Sequence, residues 1–121
     1  MAPTKVCDLN MDIERQAAMT IVRCVGQVDV HSLAKFSEAI RGLVDEGKPV
    51  RVDLKIVRRV DSSGIGAFVA LWTAAHRKNC DLKYINPSKQ VEETLRITAL
   101  LGMVEGHDAE EQQLATAFNL R

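Results

Sequence analysis

A chain of 121 residues and 13.4 kDa holds one ordinary domain and has no room for a second core. Apolar residues make up 46% and charged residues 26%, which excludes a globally disordered chain. Sixteen basic residues balance sixteen acidic ones, so the chain lacks the bulk field of a nucleic-acid or anionic-membrane binder, and its few aromatic residues cannot build a base-stacking platform.

The first segment alternates. Leu9, Met11 and Ile13 share one face, and Asp8, Asn10, Asp12 and Glu14 share the other, the period of a strand that is wet on one side. Met19 to Val25 is rich in β-branched residues and reads as its hairpin partner, ended by Gly26. From Ser32 to Glu46 the period changes. Leu33, Phe36, Ile40, Leu43 and Val44 fall on one helical stripe opposite Lys35, Glu38, Arg41 and Asp45. His31 or Ser32 can cap that helix, and Gly47 followed by Pro49 stops it. Val50 to Leu54 is a short strand. Asp61-Ser62-Ser63-Gly64 breaks the chain before a second helix, Ile65 to about Lys78, with Ile65, Phe68, Val69, Trp72 and Ala75 on its apolar face. Leu82 to Ile85 is a further strand, closed by Asn86-Pro87. Val91 to about Leu101 is a third helix. A short fifth strand is expected near Met103 and Val104. Asp108-x-x-Glu111 matches a capping box that opens a last helix, with Leu114, Ala117 and Phe118 toward the body.

This order predicts a compact α/β domain: a mixed sheet of four or five strands begun by an antiparallel hairpin, with about four helices. One domain is expected over 1–121, with its core from about 6 to 120. The longest apolar stretch, Gly64 to Ala75, is too short to cross a bilayer. The N-terminal residues have no apolar run behind a basic start, so a cytoplasmic chain without membrane insertion is expected. Cys7, Cys24 and Cys80 fit no metal or disulfide spacing and read as reduced thiols.

Chemistry concentrates in Val60-Asp61-Ser62-Ser63-Gly64-Ile65-Gly66. A strand-to-helix junction presents unpaired backbone N–H groups and the positive end of the helix dipole. A serine there can carry a phosphate, about −1.5 to −2 charges at pH 7, without unfolding its helix. The plainer reading makes Ser62 or Ser63 an N-cap, with Asp61 bonded to the loop; spacing alone does not say which serine is the cap and which is free. Gly64 and Gly66 allow a tight turn and close approach of a partner's backbone. A dinucleotide site is disfavoured, because the third glycine is absent and Asp81 begins the next strand rather than ending it. Gly-x-Ser-x-Gly is absent, and His31, His76 and His107 lie on separate segments, which leaves no basis for serine hydrolysis. No cluster has metal-ligand spacing, and no cofactor is expected. The basic group Arg51, Lys55, Arg58 and Arg59 reads as a solvated face or as a contact for an acidic partner.

Several segments coincide. Gly26-Gln27-Val28-Asp29, then Val52-Asp53-Leu54 followed by Val60-Asp61-Ser62-Ser63-Gly64-Ile65-Gly66, then Asn86-Pro87-Ser88 before Val91-x-x-x-Leu95, together resemble the anti-sigma factor antagonist family of STAS domains. The resemblance runs from about Leu9 to Leu120. It implies the STAS fold and a non-enzymatic role. It implies that Ser62 is phosphorylated by an anti-sigma factor that is also a serine kinase with an ATP-binding fold, and that Asp29 lies beside it. The unmodified form would bind the anti-sigma factor and release a sigma factor; phosphorylation would end binding, and a serine phosphatase would restore it. The shoulder expected to meet the partner comprises Asp29, Asp61, Ser62, Ser63, Gly64 and Ile65. Gln27 departs from the acid often found there, and Arg58 and Arg59 stand where apolar or aromatic residues are usual. Related STAS domains serve instead as non-switching subunits of lipid-transport ABC complexes or stress-sensing assemblies, which is the alternative reading.

Overall fold

The computed structural model describes residues 7–120; Val6, placed at the start of the core by its sequence, lies outside them. The elements are β1 (Leu9–Arg15), β2 (Thr20–Val28), α1 (Leu33–Asp45), β3 (Val50–Val60), α2 (Ser62–Arg77), β4 (Leu82–Ile85), α3 (Lys89–Ile97), a 3₁₀ turn (Leu101–Met103) and α4 (Asp108–Ala117). The sheet runs β1-β2-β3-β4, antiparallel between β1 and β2 and parallel thereafter. Two parallel crossovers step the same way across the sheet, so α1 and α2 fall on one face and pack together. Phe36 of α1 meets Phe68 of α2 at 5.6 Å between ring centroids, and Phe68 stacks on Tyr84 of β4 at 4.5 Å. The Tyr84 hydroxyl donates to Phe68 O at 3.0 Å, which satisfies the polar end of a fully buried ring.

The expected fifth strand is a single parallel bridge from Tyr84 of β4 to Val104, which lies in no strand. Gly26 does not end β2. It sits inside the strand at φ +127, and a Cβ there would lie 2.2 Å from Asp8 O, so the chain passes where only glycine fits. β3 has 11 residues, more than twice the expected length. Between Arg23 and Val25 of β2, β3 advances from Asp53 to Ile56; between Gly26 and Gln27 it advances from Val57 to Arg59. Each step inserts one extra residue, a bulge that breaks the alternation and hides the outer half of the strand from a period-two reading.

α3 departs from its expected span and α4 from its expected cap. α3 starts at Lys89, because Ser88 Oγ accepts from Val91 N while donating to Val57 O, and it ends at Ile97 rather than Leu101. The capping box at Asp108 does not form: His107 is the N-cap, and Glu111 pairs with Lys83 at 3.2 Å. On α4, Leu114 and Phe118 turn inward as expected, but Ala117 is exposed and Ala115 packs inward in its place. On α2 the buried stripe is Phe68, Leu71, Trp72 and Ala75, with Ile65 and Val69 only half-buried beside it.

Cys24 and Cys80 are buried free thiols, and Cys7 is half-buried. Burial, helped by the Asp53 charge, pushes the Cys24 thiol up to about 12. A thiolate is the reactive form, so Cys24 is inert in the folded chain. A disulfide-exchange reagent at pH 8 is expected to leave Cys24 unmodified until urea unfolds the protein, as peptide mass spectrometry would show.

Candidate functional site

Parallel neighbours end at the same edge of a sheet, and open α/β sheets place their sites there. Val28 and Val60, the last residues of β2 and β3, are register partners. Asp29 and Asp61, far apart in sequence, therefore leave the sheet side by side. Two hydrogen bonds carry the pairing past the strand ends: Asp61 N donates to Val28 O at 3.2 Å, and Val30 N donates to Asp61 Oδ2 at 3.2 Å.

Asp61 is the N-cap of α2. Its backbone is extended, and its Oδ1 accepts from Gly64 N at 2.9 Å. Neither Ser62 nor Ser63 is the cap; aspartate takes that position as readily as serine, which is the signal a serine-centred reading passes over. One carboxylate thus caps a helix with one oxygen and holds the β2–α1 loop with the other. Replacing Asp61 by alanine removes both bonds and is expected to cost about 2 kcal/mol, measured by urea unfolding, with Asp61→Asn recovering part of it.

Asp29 is nearly buried, and its Oδ1 accepts from His31 N at 2.9 Å and Ser32 N at 3.2 Å. Ser32 precedes α1 but does not cap it with its side chain. It is fully buried and braces the loop instead: its Oγ donates to Gln27 O at 2.8 Å and accepts from Asp29 N at 3.0 Å. Sequence reading placed Ser32 only as a cap and missed this brace.

With Asp61 as cap, Ser62 is the first helical residue. It is exposed, and its hydroxyl makes no hydrogen bond among the described residues. The N–H groups of Ser62 and Ser63 belong to the first turn, which no helix carbonyl reaches. Ser63 and Ile65 are half-buried. Gly64 is buried, and the backbone it admits is its own chain's: a Cβ there would lie 2.3 Å from Val28 O and 2.6 Å from Val60 Cγ1. The expected close approach of a partner at Gly64 therefore gives way to the approach of β2. Gly66 is exposed, with open space around it.

An open groove of about 420 Å³ lies against this junction, lined by Asp8, Asp29 and Asp61 together with Gln27, Val30, His31 and Arg59. The three histidines do not converge. His31 is on this loop, His76 packs its ring 4.0 Å from Trp72, and His107 caps α4 beside Glu110. Among the described residues no group of His, Cys, Asp or Glu could hold a metal ion, and no helix is long and apolar enough to cross a membrane.

The STAS domain family model matches residues 10–113, which span the sheet, the junction and the start of α4. The chain belongs to the STAS domain family. A similar curated protein is the anti-sigma-B factor antagonist of Bacillus subtilis strain 168, 28% identical over 98 residues that cover 81% of this chain and 90% of that one. The fold also resembles that of the anti-sigma factor antagonist SpoIIAA in its unphosphorylated form, with a TM-score of 0.67, 16% identity, and coverage of 93% of this chain and 99% of that one. The phosphorylated form of the Bacillus cell fate determinant SpoIIAA gives a TM-score of 0.63 at 16% identity, covering 85% of this chain and 98% of that one. The STAS domain thus accounts for the α/β architecture, with four strands and four helices, that the element order predicted.

Proposed function

We propose that this protein is an anti-sigma factor antagonist whose switch is Ser62. The observation that carries the proposal is the division of labour at α2: Asp61 takes the capping role, so the adjacent serine keeps an exposed and uncommitted hydroxyl at the positive end of the helix. A kinase can reach that oxygen. A phosphate placed there meets the unpaired N–H groups of the first turn and gains about 0.3–1 kcal/mol from the dipole, so the helix tolerates the modification.

In this reading the unmodified shoulder of Asp29, Asp61, Ser62, Ser63 and Ile65 is small and is covered by an anti-sigma factor, which then releases its sigma factor. Gly64 shapes the shoulder from beneath. Phosphorylation by that same partner, a serine kinase with an ATP-binding fold, places a dianion in the interface and ends binding. A serine phosphatase resets the surface. The chain is a substrate and a binding module in this cycle, and the catalytic groups belong to its partners. Asp61 acts through the loops it holds rather than on the hydroxyl, because both its oxygens are taken by backbone N–H groups, and Asp29 gives its Oδ1 to the same loop.

The test is incubation with ATP and the purified kinase-type anti-sigma factors of the source organism, followed by mass spectrometry. Phosphate on Ser62, and none on Ser62→Ala, supports the reading. Phosphate only elsewhere, or capture of a transporter ATPase by a chain that no such kinase modifies, overturns it.

A further inference from the structure

The basic group Arg51, Lys55, Arg58 and Arg59 does not act as one surface. Arg51 is nearly buried and is spent on its own chain, with Nη2 on Asp81 at 2.8 Å and Nη1 on Asp81 O at 2.9 Å. Arg58 pairs with Asp8. Lys55 is exposed but does not line the groove at the junction of Asp29 and Asp61. Arg59 is different. It is exposed, it lines that groove, and its side chain has no ion pair or hydrogen bond among the described residues.

Each carboxylate around it is already engaged through at least one oxygen. Asp61 uses both carboxylate oxygens on backbone N–H groups of two segments, and Asp29 holds two more N–H groups through Oδ1. Asp8 is held by Arg58 and receives Gln27 Nε2 at 3.4 Å. The starts of α1 and α2, both more than three turns long, converge on the same place and add their positive ends. A basic side chain entering here meets the unpaired Arg59, and of the lining carboxylates only Asp29 Oδ2 and Asp8 Oδ1 carry no hydrogen bond among the described residues. A carboxylate meets a fork of unspent N–H donors. Beside it stands Val30, 59% exposed on a loop that Asp61 pins. An unpaired arginine next to a fixed exposed apolar side chain is the composition of an interface anchor.

We propose that Arg59 selects the protein partner: its guanidinium takes an aspartate or glutamate of the anti-sigma factor in the groove, with Val30 packing against an apolar neighbour of that acid. This rests on the function proposed above and names the partner chemistry its site requires. Arg59 then decides which anti-sigma factor is bound, and Ser62 decides when.

The experiment measures affinity by calorimetry for the kinase-type anti-sigma factor that binds the wild-type chain, using wild type, Arg59→Ala, Arg59→Lys, Arg59→Glu and Val30→Ser. Losing one member of a desolvated charge pair is expected to weaken binding about 30-fold in Arg59→Ala and more than 100-fold in Arg59→Glu, with Arg59→Lys in between. Val30→Ser is expected to lose about fivefold. Reversal of the matching partner acid to arginine should restore Arg59→Glu. The variants change exposed side chains, so their unfolding midpoints should match wild type. Equal affinity of wild type and Arg59→Glu, or tighter binding by Arg59→Glu, overturns the proposal while leaving the function intact. A wild-type chain that binds none of the organism's kinase-type anti-sigma factors overturns both.

Discussion

Ser62→Asp is expected to keep its fold and lose its partner. The substituted carboxylate sits at the first position of α2, beside the free N–H groups of Ser62's own turn, where an anion favours the helix by about 0.3–1 kcal/mol. Thermal unfolding should therefore show no loss of stability and a small gain. Binding moves the other way. An interface that covers this shoulder must desolvate the new charge, and an uncompensated buried anion costs several kcal/mol. A penalty of about 3 kcal/mol is roughly a hundredfold in Kd. Ser62→Ala supplies the contrast, since it removes the phosphate acceptor but adds no charge. It should bind the anti-sigma factor within about twofold of wild type and stay bound in the presence of ATP, a persistence measurable by size-exclusion chromatography. If Ser62→Asp binds as tightly as Ser62→Ala, the serine is outside the interface and the switch lies elsewhere.

The order of elements was legible because each apolar pattern has one period. The stripe through Phe36, Ile40 and Leu43 can only be a helix side, and Leu82 to Ile85 sits between clear breaks. What escaped the sequence is what tertiary contact decides. β3 continues through Lys55, Arg58 and Arg59 because β2 pairs with it across two bulges, and no local preference announces that. The glycine at position 26 looks like a stop, yet the strand continues because Asp8 crosses too close for any side chain. The capping box at Asp108 fails for a related reason: Glu111 faces Lys83 on a neighbouring element, and a long-range ion pair replaces the local cap.

The site was legible in its residues and not in its wiring. The segment from Asp61 to Gly64 could be singled out, but whether serine or aspartate capped the helix depended on where the chain before it ran. Once β2 and β3 are parallel neighbours in register at Val28 and Val60, Asp61 faces both its own helix and the loop after Asp29. That double contact settles the cap and releases the serine. Arg59 was legible only as part of a basic run. The bulge between Val57 and Arg59 sets Arg59 opposite Gln27, at the groove, while Arg58 pairs with Asp8.

The junction's geometry yields its most severe stability test in two neighbouring glycines of α2. Gly64→Ala should destabilise the protein by about 3 kcal/mol, and Gly66→Ala should stabilise it by up to about 1 kcal/mol. Both changes add one methyl group to the same helix, and propensity alone favours both. The surroundings reverse the first. At Gly64 the new carbon would lie 2.3 Å from a backbone oxygen of β2 and 2.6 Å from Val60 Cγ1. The oxygen belongs to Val28, which already accepts from Asp61 N, so it cannot retreat without loosening the bond that joins the two strand ends. The start of α2 must lift away, and the Asp61 cap is strained with it. At Gly66 nothing lies within 4 Å, and the alanine enters open space. For a chain of this size, 1 kcal/mol moves the midpoint by about 4 °C, so calorimetry should find the two variants separated by about 16 °C. A lifted helix start also displaces Ser62, so Gly64→Ala should be phosphorylated poorly even at temperatures where it is fully folded, whereas Gly66→Ala should be phosphorylated normally. Equal midpoints for the two variants would mean that α2 does not press against β2 at Gly64, and the platform that presents Ser62 would have to be drawn differently.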